Sequence, residues 1–223
     1  MLRVETVRIA KGISIVSPWP AILLEKENAL LVADLHIGLE DEQESRGVHI
    51  PTTILPKIIE SVVSPARALG CSKILILGDV KHEFGRPSEP EWWGVKKLFK
   101  AIRDRHCDVE VVRGNHDNYI MIILKELGVK LYDPMLVLDS LLLTHGHLKL
   151  RDFGRDVRFV AMGHEHPSVV LKDGVGVKHR FKAFLLGRLR NIRVVVLPSV
   201  SPLTTGSDIN ELPSEELLSP ILR

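Results

Sequence analysis

At 223 residues, 45% hydrophobic and 26% charged, the chain is long enough to bury a large core, and its size falls within the roughly 100–250 residues common for one domain. No apolar run approaches the roughly 20 residues that span a bilayer, and Arg3, Glu5, Arg8 and Lys11 interrupt the N-terminal apolar residues. A soluble, cytoplasmic protein made without a signal peptide is expected, and the net charge of +2 makes neither half strongly basic. Five apolar runs, Ala29–Ala33, Ile74–Leu77, Val109–Val112, Leu141–Leu143 and Phe159–Met162, read as buried strands.

Between the first two strands, Pro51 suits a first helical turn, and Ile54, Leu55, Ile58, Ile59, Val62 and Val63 repeat at helical spacing. Pro65 is expected to interrupt or kink that helix, and Gly70 to close the segment. Ser88 and Glu91 have the spacing of a capping box, with Trp92, Val95, Phe99 and Ile102 as the apolar stripe of the helix that follows. A further helix is expected over Asn118–Leu127. After it, short apolar runs dominate and helix signals become scarce. Residues 1–210 read as one domain, with 211–223 as a surface tail. Cys71 and Cys107 lack the paired spacing of a zinc or redox motif and read as reduced, partly buried thiols.

Most groups able to bind a metal follow the strands. In Asp34-Leu35-His36 the polar side chains are two residues apart, so on an extended chain both point one way and Leu35 the other. Gly78-Asp79 follows the next strand and by itself reads equally as a turn, although its two carboxylate oxygens could lie between two cations. Gly114-Asn115-His116-Asp117 offers a neutral carbonyl, an imidazole able to give up a proton near neutral pH, and an acceptor able to orient that imidazole. His145-Gly146-His147 and Gly163-His164-Glu165-His166 complete the series. In the last of these, two histidines facing one way could each hold a different ion about 3.5–4 Å apart, with Glu165 facing away.

Six of the chain's ten histidines fall in these pieces, and their order resembles the calcineurin-like metallophosphoesterases. A closer likeness, through Asp34–Gly38, Gly78–Phe84 and Leu197–Ser207, is to the DNA-ligase-associated phosphoesterase subfamily and its archaeal relatives. The resemblance implies a four-layer α/β/β/α sandwich with two mixed β-sheets and a centre of two divalent ions. Asp34, His36, Asp79 and His166 would hold one ion, and Asp79, Asn115, His145 and His164 the other. His116 would protonate the leaving oxygen while Asp117 holds its ring. Between His145 and His147 the sequence does not decide cleanly; His145, directly after its strand, is favoured. Oxygen and imidazole ligands without thiolate suit manganese, with iron, zinc or nickel as alternatives.

Two such ions sharing a water would yield hydroxide near neutral pH and a centre of small net positive charge, which favours a phosphodiester monoanion slightly over a monoester dianion. Hydrolysis of cyclic nucleotides or nucleic-acid ends is therefore expected, with phosphomonoesterase or nucleotide pyrophosphatase activity next. A non-catalytic scaffold is disfavoured because it has no need of His116. His82, Arg86 and Arg113 are candidate phosphate contacts. The resemblance also allows a DNA-repair partner. The stretch Gly174–Ser207 has no acid and carries Lys178, Arg180, Lys182, Arg188, Arg190 and Arg193; it reads either as an anion-attracting patch or as a solvated hairpin balanced by Glu211, Glu215 and Glu216. His49, His106 and His179 read as solvent-facing.

Overall fold

All five predicted strands form, and they fall into two sheets. The computed structural model describes residues 4–48, 50, 53–150 and 153–223; Arg3, His49 and Pro51 lie outside them. Strands β1 (Glu5–Ala10), β2 (Ile13–Ser17), β3 (Ala21–Leu24), β4 (Ala29–Val32), β5 (Lys73–Leu77), β6 (Asp108–Val112) and β7 (Lys130–Tyr132) lie side by side in that order. The first three pairings are antiparallel and the last three parallel. The second sheet uses β8 (Met135–Leu138), β9 (Leu141–Thr144) and β10 (Phe159–Met162). A small sheet of β11 (Pro167–Lys172), β12 (Lys178–Lys182) and β15 (Ser207–Asp208) follows from β10, and β13 (Leu185–Leu189) and β14 (Ile192–Val196) return to the second sheet, whose order is β13-β14-β10-β9-β8.

In the first sheet the connections between parallel strands carry helices. Helices α1 (Leu39–Ser45) and α2 (Ile54–Leu69) lie between β4 and β5, α3 (Glu89–Arg103) between β5 and β6, and α4 (Ile120–Glu126) between β6 and β7. On α2, Ile54, Ile58, Val62, Val63 and Ala66 are buried against the outer face of the first sheet; each large apolar side chain buried this way contributes roughly 1.5–3 kcal/mol. Pro65 does not end α2. The helix runs through it to Leu69 and closes on Gly70 at φ 67°: the proline removes one backbone bond, while its ring and its neighbours on the same face stay buried. The capping box on α3 is present in full, with Ser88 accepting from the Glu91 amide and Glu91 from the Ser88 amide.

Between the sheets, Leu31, Ala33, Leu75 and Leu77 meet Leu143, Phe159, Ala161 and Val195 in a second apolar layer. The outer face of the second sheet is covered differently. Leu142, Val160, Met162, Val194 and Val196 pack on Val157 and on Ile221 and Leu222, and no α-helical residue belongs to this third cluster among the described residues. The end of the segment beyond Asn210 is thus docked and is no loose tail: Ser219 is fully buried, and the amides of Leu218 and Ser219 donate to Glu165 at 3.1 and 2.8 Å. Glu165 faces away from the histidines beside it because it holds this segment.

Candidate metal centre

The predicted ligands converge at one edge of the sandwich, where the C-terminal ends of β4, β5, β6, β9 and β10 meet. Asp34 and Asp79 each stand two residues beyond their strand, Asn115 three beyond β6, His145 directly after β9, and His164 and His166 just past β10. Open α/β sheets place their sites at this end. Three groups of donor atoms result, Asp34, His36, Asp79 and His166, then Asp79, His145 and His164, and a third of His36, His82 and His116, each with its atoms within 4.8 Å of one another. Asp79 belongs to the first two. Asn115 joins the second group, its Oδ1 lying 2.9 Å from His145 Nε2.

The backbone brings this about in an unexpected way. Asp34, His36, Asp79, His164 and His166 all have positive φ, from 46° to 69°, so the two-residue spacing works through left-handed turns and not through an extended strand. Such residues cost roughly 1–3 kcal/mol each, and strain of this kind gathers at functional sites. Gly78, at φ 76°, is required as well: a Cβ there would lie 2.5 Å from His145 Nδ1 and 2.7 Å from the Gly114 backbone.

The donor chemistry fits divalent cations. His36 Nε2 faces His166 Nε2 at 3.3 Å, and His164 Nδ1 faces His145 Nε2 at 3.2 Å; two lone pairs at that distance repel unless a proton or a cation lies between them. Asp34 and Asp79 are buried and pair only with imidazoles, at 3.2–3.7 Å, with no Lys or Arg bridge among the described residues. Burial of two carboxylates without cationic partners is costly. The hydrogen bonds also set the tautomers. His145 Nδ1 donates to the Leu77 carbonyl at 2.8 Å, which leaves its Nε2 lone pair on the cluster. His82 bonds Glu42 through Nε2 and faces His36 Nδ1 through Nδ1 at 3.2 Å. With Glu42 accepting from His82 and His82 from His36, the Nε2 lone pair of His36 is likewise left free, as buttressed metal-ligating histidines require.

Without cations the charge balance falls to protons. Burial opposes it, yet the Asp79 and Asp34 carboxylates raise His145 to about 9. Burial also opposes ionisation of the two aspartates, but the surrounding imidazoles hold both below the usual carboxylate range. Burial lowers His36 to about 3, and burial together with His145 lowers His164 to about 4. His147 is lowered to about 4 for the same reasons and stays outside the donor groups, its buried Nδ1 unpartnered. By position it is His145, and not His147, that lies with the other donor atoms.

His116 stands beside this centre, its ring 4.9 Å from that of His36. Asp117 does not hold that ring. The Asp117 carboxylate accepts the amides of Asp79 and Gly114 at 2.8 Å each and of Val80 at 2.9 Å, so it ties the β5 and β6 loops together. The His116 ring is oriented by the His82 carbonyl, which accepts from Nδ1, and by Phe84, stacked on it at 3.8 Å between centroids. Among the described residues Nε2 of His116 has no protein partner, and burial lowers the pKa of the ring.

Of the candidate phosphate contacts, His82 has both ring nitrogens engaged as described, Arg113 is held by Asp133 and Asn118 at 2.7 Å each, and Arg86 is exposed, with no side-chain hydrogen bond or ion pair among the described residues. In the basic stretch, Lys178 pairs with Glu211 and Arg180 with Asp208, Lys182 donates to the carbonyls of Ser199 and Ser201, and Arg188, Arg190 and Arg193 have no ion pair among the described residues. His106 is exposed, and His179, also exposed, pairs with Asp173.

Several residues escape a reading of the sequence. Glu91, recognisable only as a helix cap, also accepts the amides of His82 at 2.9 Å and Glu83 at 2.6 Å, and so fixes the loop that orients His116. Glu42 reaches His82 across 40 residues of chain, a separation that leaves no local signal. Ser199 Oγ donates to the Asp34 carbonyl at 2.6 Å, and the Ser207 amide to the His166 carbonyl at 3.1 Å. The late Leu197–Ser207 segment therefore props one ligand from each motif pair, and Gly206 is needed there because a Cβ would meet the His166 carbonyl oxygen at 1.8 Å.

A family model described as calcineurin-like phosphoesterase matches residues 28–220. The chain belongs to this family. The calcineurin-like chain is similar in fold to the Pseudomonas putida nuclease MPE, with 23% identity over 95% of this chain and 94% of that one and a TM-score of 0.68. It also matches Yfce, a phosphoesterase from E. coli, at 22% identity over 80% and 83% of the two chains with a TM-score of 0.47. Comparison with curated proteins finds no match. The calcineurin-like chain has no helix long and apolar enough to cross a membrane among the described residues.

Proposed function

We propose that this phosphoesterase is a phosphodiesterase with two divalent ions, acting on nucleotides or nucleic-acid strands, and that it belongs with the DNA-ligase-associated phosphoesterases. The observation that carries the reading is the pair of donor groups sharing Asp79, with His116 beside them and outside both. When bound, the ions, manganese by preference, would activate water and offset the negative charge that grows on phosphorus. The seven ligands named above would hold them.

The protein's own groups do the rest. Asp79 accepts the His116 amide at 2.9 Å, which fixes the spacing between the ligands and the acid. With Nδ1 committed to the His82 carbonyl, Nε2 of His116, in the imidazolium form, would pass its proton to the leaving oxygen as its bond to phosphorus breaks; water supplies the new hydroxyl on phosphorus. Arg113 is already paired with Asp133, which leaves less positive charge for the second charge of a monoester. That supports the diester. The nuclease named among the structural neighbours is in keeping with a nucleic-acid substrate.

The test is an assay of manganese-loaded protein on matched aryl diesters and monoesters, 2′,3′-cyclic nucleotides, and single- and double-stranded DNA. A higher kcat/KM on the aryl diester is expected. A preference for the monoester would overturn the diester reading, and no hydrolysis of any substrate would favour a scaffold.

A further inference from the structure

Beside the metal centre, α4 and β7 enclose an open groove of about 1220 Å³ whose lining includes Arg113, Tyr119, Met121, Ile122, Lys125 and Leu131. It adjoins the residues that support the centre, since Asp117, which accepts the Asp79 amide, lines it as well. Three large side chains on it are left to solvent: Tyr119 is 51% exposed, Met121 62% and Ile122 51%. Tyr119 is held at φ 64°, a conformation that bulky side chains rarely adopt, and this aromatic ring stands two residues past Asp117.

The charges of the groove are mostly spent within the protein. Arg113 pairs with Asp133, Glu126 with Lys96, and Asp117 faces backbone amides. Lys125 has no ionic partner among the described residues, so the exposed unpaired charge of the groove is cationic. An apolar floor, an exposed aromatic ring and a free ammonium, next to residues that support a site for a phosphodiester, match one class of ligand. Bases of any identity stack on aromatic rings while the backbone phosphates meet cations. An apolar protein surface in the same groove would bury Lys125 unpaired.

We propose that this groove is a nucleobase subsite in which a base next to the scissile phosphate stacks on Tyr119 and a neighbouring phosphate meets Lys125. The proposal deepens the phosphodiesterase reading and rests on it for the position of the phosphate.

The test compares binding of fluorescein-labelled hexathymidylate with that of an abasic hexamer of the same charge, by anisotropy in EDTA, so that no turnover enters. The base-bearing strand is expected to bind about tenfold more tightly. Tyr119→Phe is expected to keep that ratio and Tyr119→Ala to bring it to within about twofold of unity, with circular dichroism matched to the parent. Equal binding of the two strands by the parent, or a ratio untouched by Tyr119→Ala, would overturn the subsite. So would light scattering that shows a dimer at micromolar concentration that Ile122→Glu dissociates, because the groove would then belong to a second copy. A base-dependent ratio without cleavage of manganese-loaded samples would sink the hydrolytic reading and leave the subsite; cleavage without such a ratio would do the reverse.

Discussion

Replacing Asp117 by Asn sets two effects of similar size against each other. The carboxylate accepts three buried amides, those of Asp79 and Gly114 on one oxygen and that of Val80 on the other. Asparagine keeps one acceptor and can serve the first two, but it turns an NH₂ toward the Val80 amide, and losing that charge-assisted bond costs about 1.5–3 kcal/mol. Against this, burial first and then Asp79 raise the Asp117 carboxyl to about 6. An acid whose folded pKa is raised stabilises the fold below its unfolded value of 3.8 and loses that stability as pH rises through the folded one. At pH 7.5 the ionised carboxylate therefore costs on the order of 3 kcal/mol, and at pH 5 about half as much. Asparagine is spared this. In metal-free protein the Asp117→Asn change should be close to neutral at pH 7.5 and destabilising by roughly 1.5 kcal/mol more at pH 5, read from urea denaturation at the two pH values. A loss above about 4 kcal/mol at pH 7.5, or a difference that does not move with pH, would refute the reasoning.

Three further outcomes follow from the geometry. His116→Ala should retain its metal and lose most turnover on esters with poor leaving groups, while aryl esters suffer less; an equal loss on both series would remove the acid role. Glu91→Ala strands the amides of Glu83 and Ser88, at about 1 kcal/mol each, while that of His82 keeps the Ile37 carbonyl. It should lower the unfolding free energy by about 2 kcal/mol and reproduce the leaving-group pattern of His116→Ala in milder form, so uniform slowing would assign it to stability alone. Since the Asp79 and Asp34 carboxylates keep a proton on His145 up to about 9, cations must displace that proton at neutral pH. Apparent manganese affinity should rise up to tenfold per pH unit between 6 and 8, and an affinity that stays flat by titration calorimetry would contradict it. By the same sign rule, metal-free stability from His145 is full below 6.5 and fades as pH rises through about 9.

The strands and the gathering of donor residues were legible in the sequence because burial on both faces writes a continuous apolar run, and because a polar residue just beyond such a run stands at the sheet's C-terminal edge. The backbone that points the ligands inward was not legible: positive φ at Asp34, His36, Asp79, His164 and His166 involves residues other than glycine, for which spacing alone suggests extended chain. The partner of Asp117 was misjudged for a similar reason. Adjacency to His116 suggested a ring contact, whereas the nearest unsatisfied groups in space are amides from β5 and β6 loops about 37 residues apart in sequence. Glu91 shows the limit from the other side, since a cap motif predicts a helix start and is silent about a loop folded back onto it. The covering of the second sheet by Ile221 and Leu222 left only two short apolar residues after Pro220, too little to separate a docked end from a free one.

The most direct measurement is the manganese content of parent protein and Asp79→Asn after equilibrium dialysis, with diester hydrolysis followed on the same samples. Two ions per parent chain, falling to one or none in Asp79→Asn together with loss of hydrolysis, are the expected result. An Asp79→Asn protein that keeps two ions, or a parent that binds none, would contradict the shared role of Asp79 on which the centre depends.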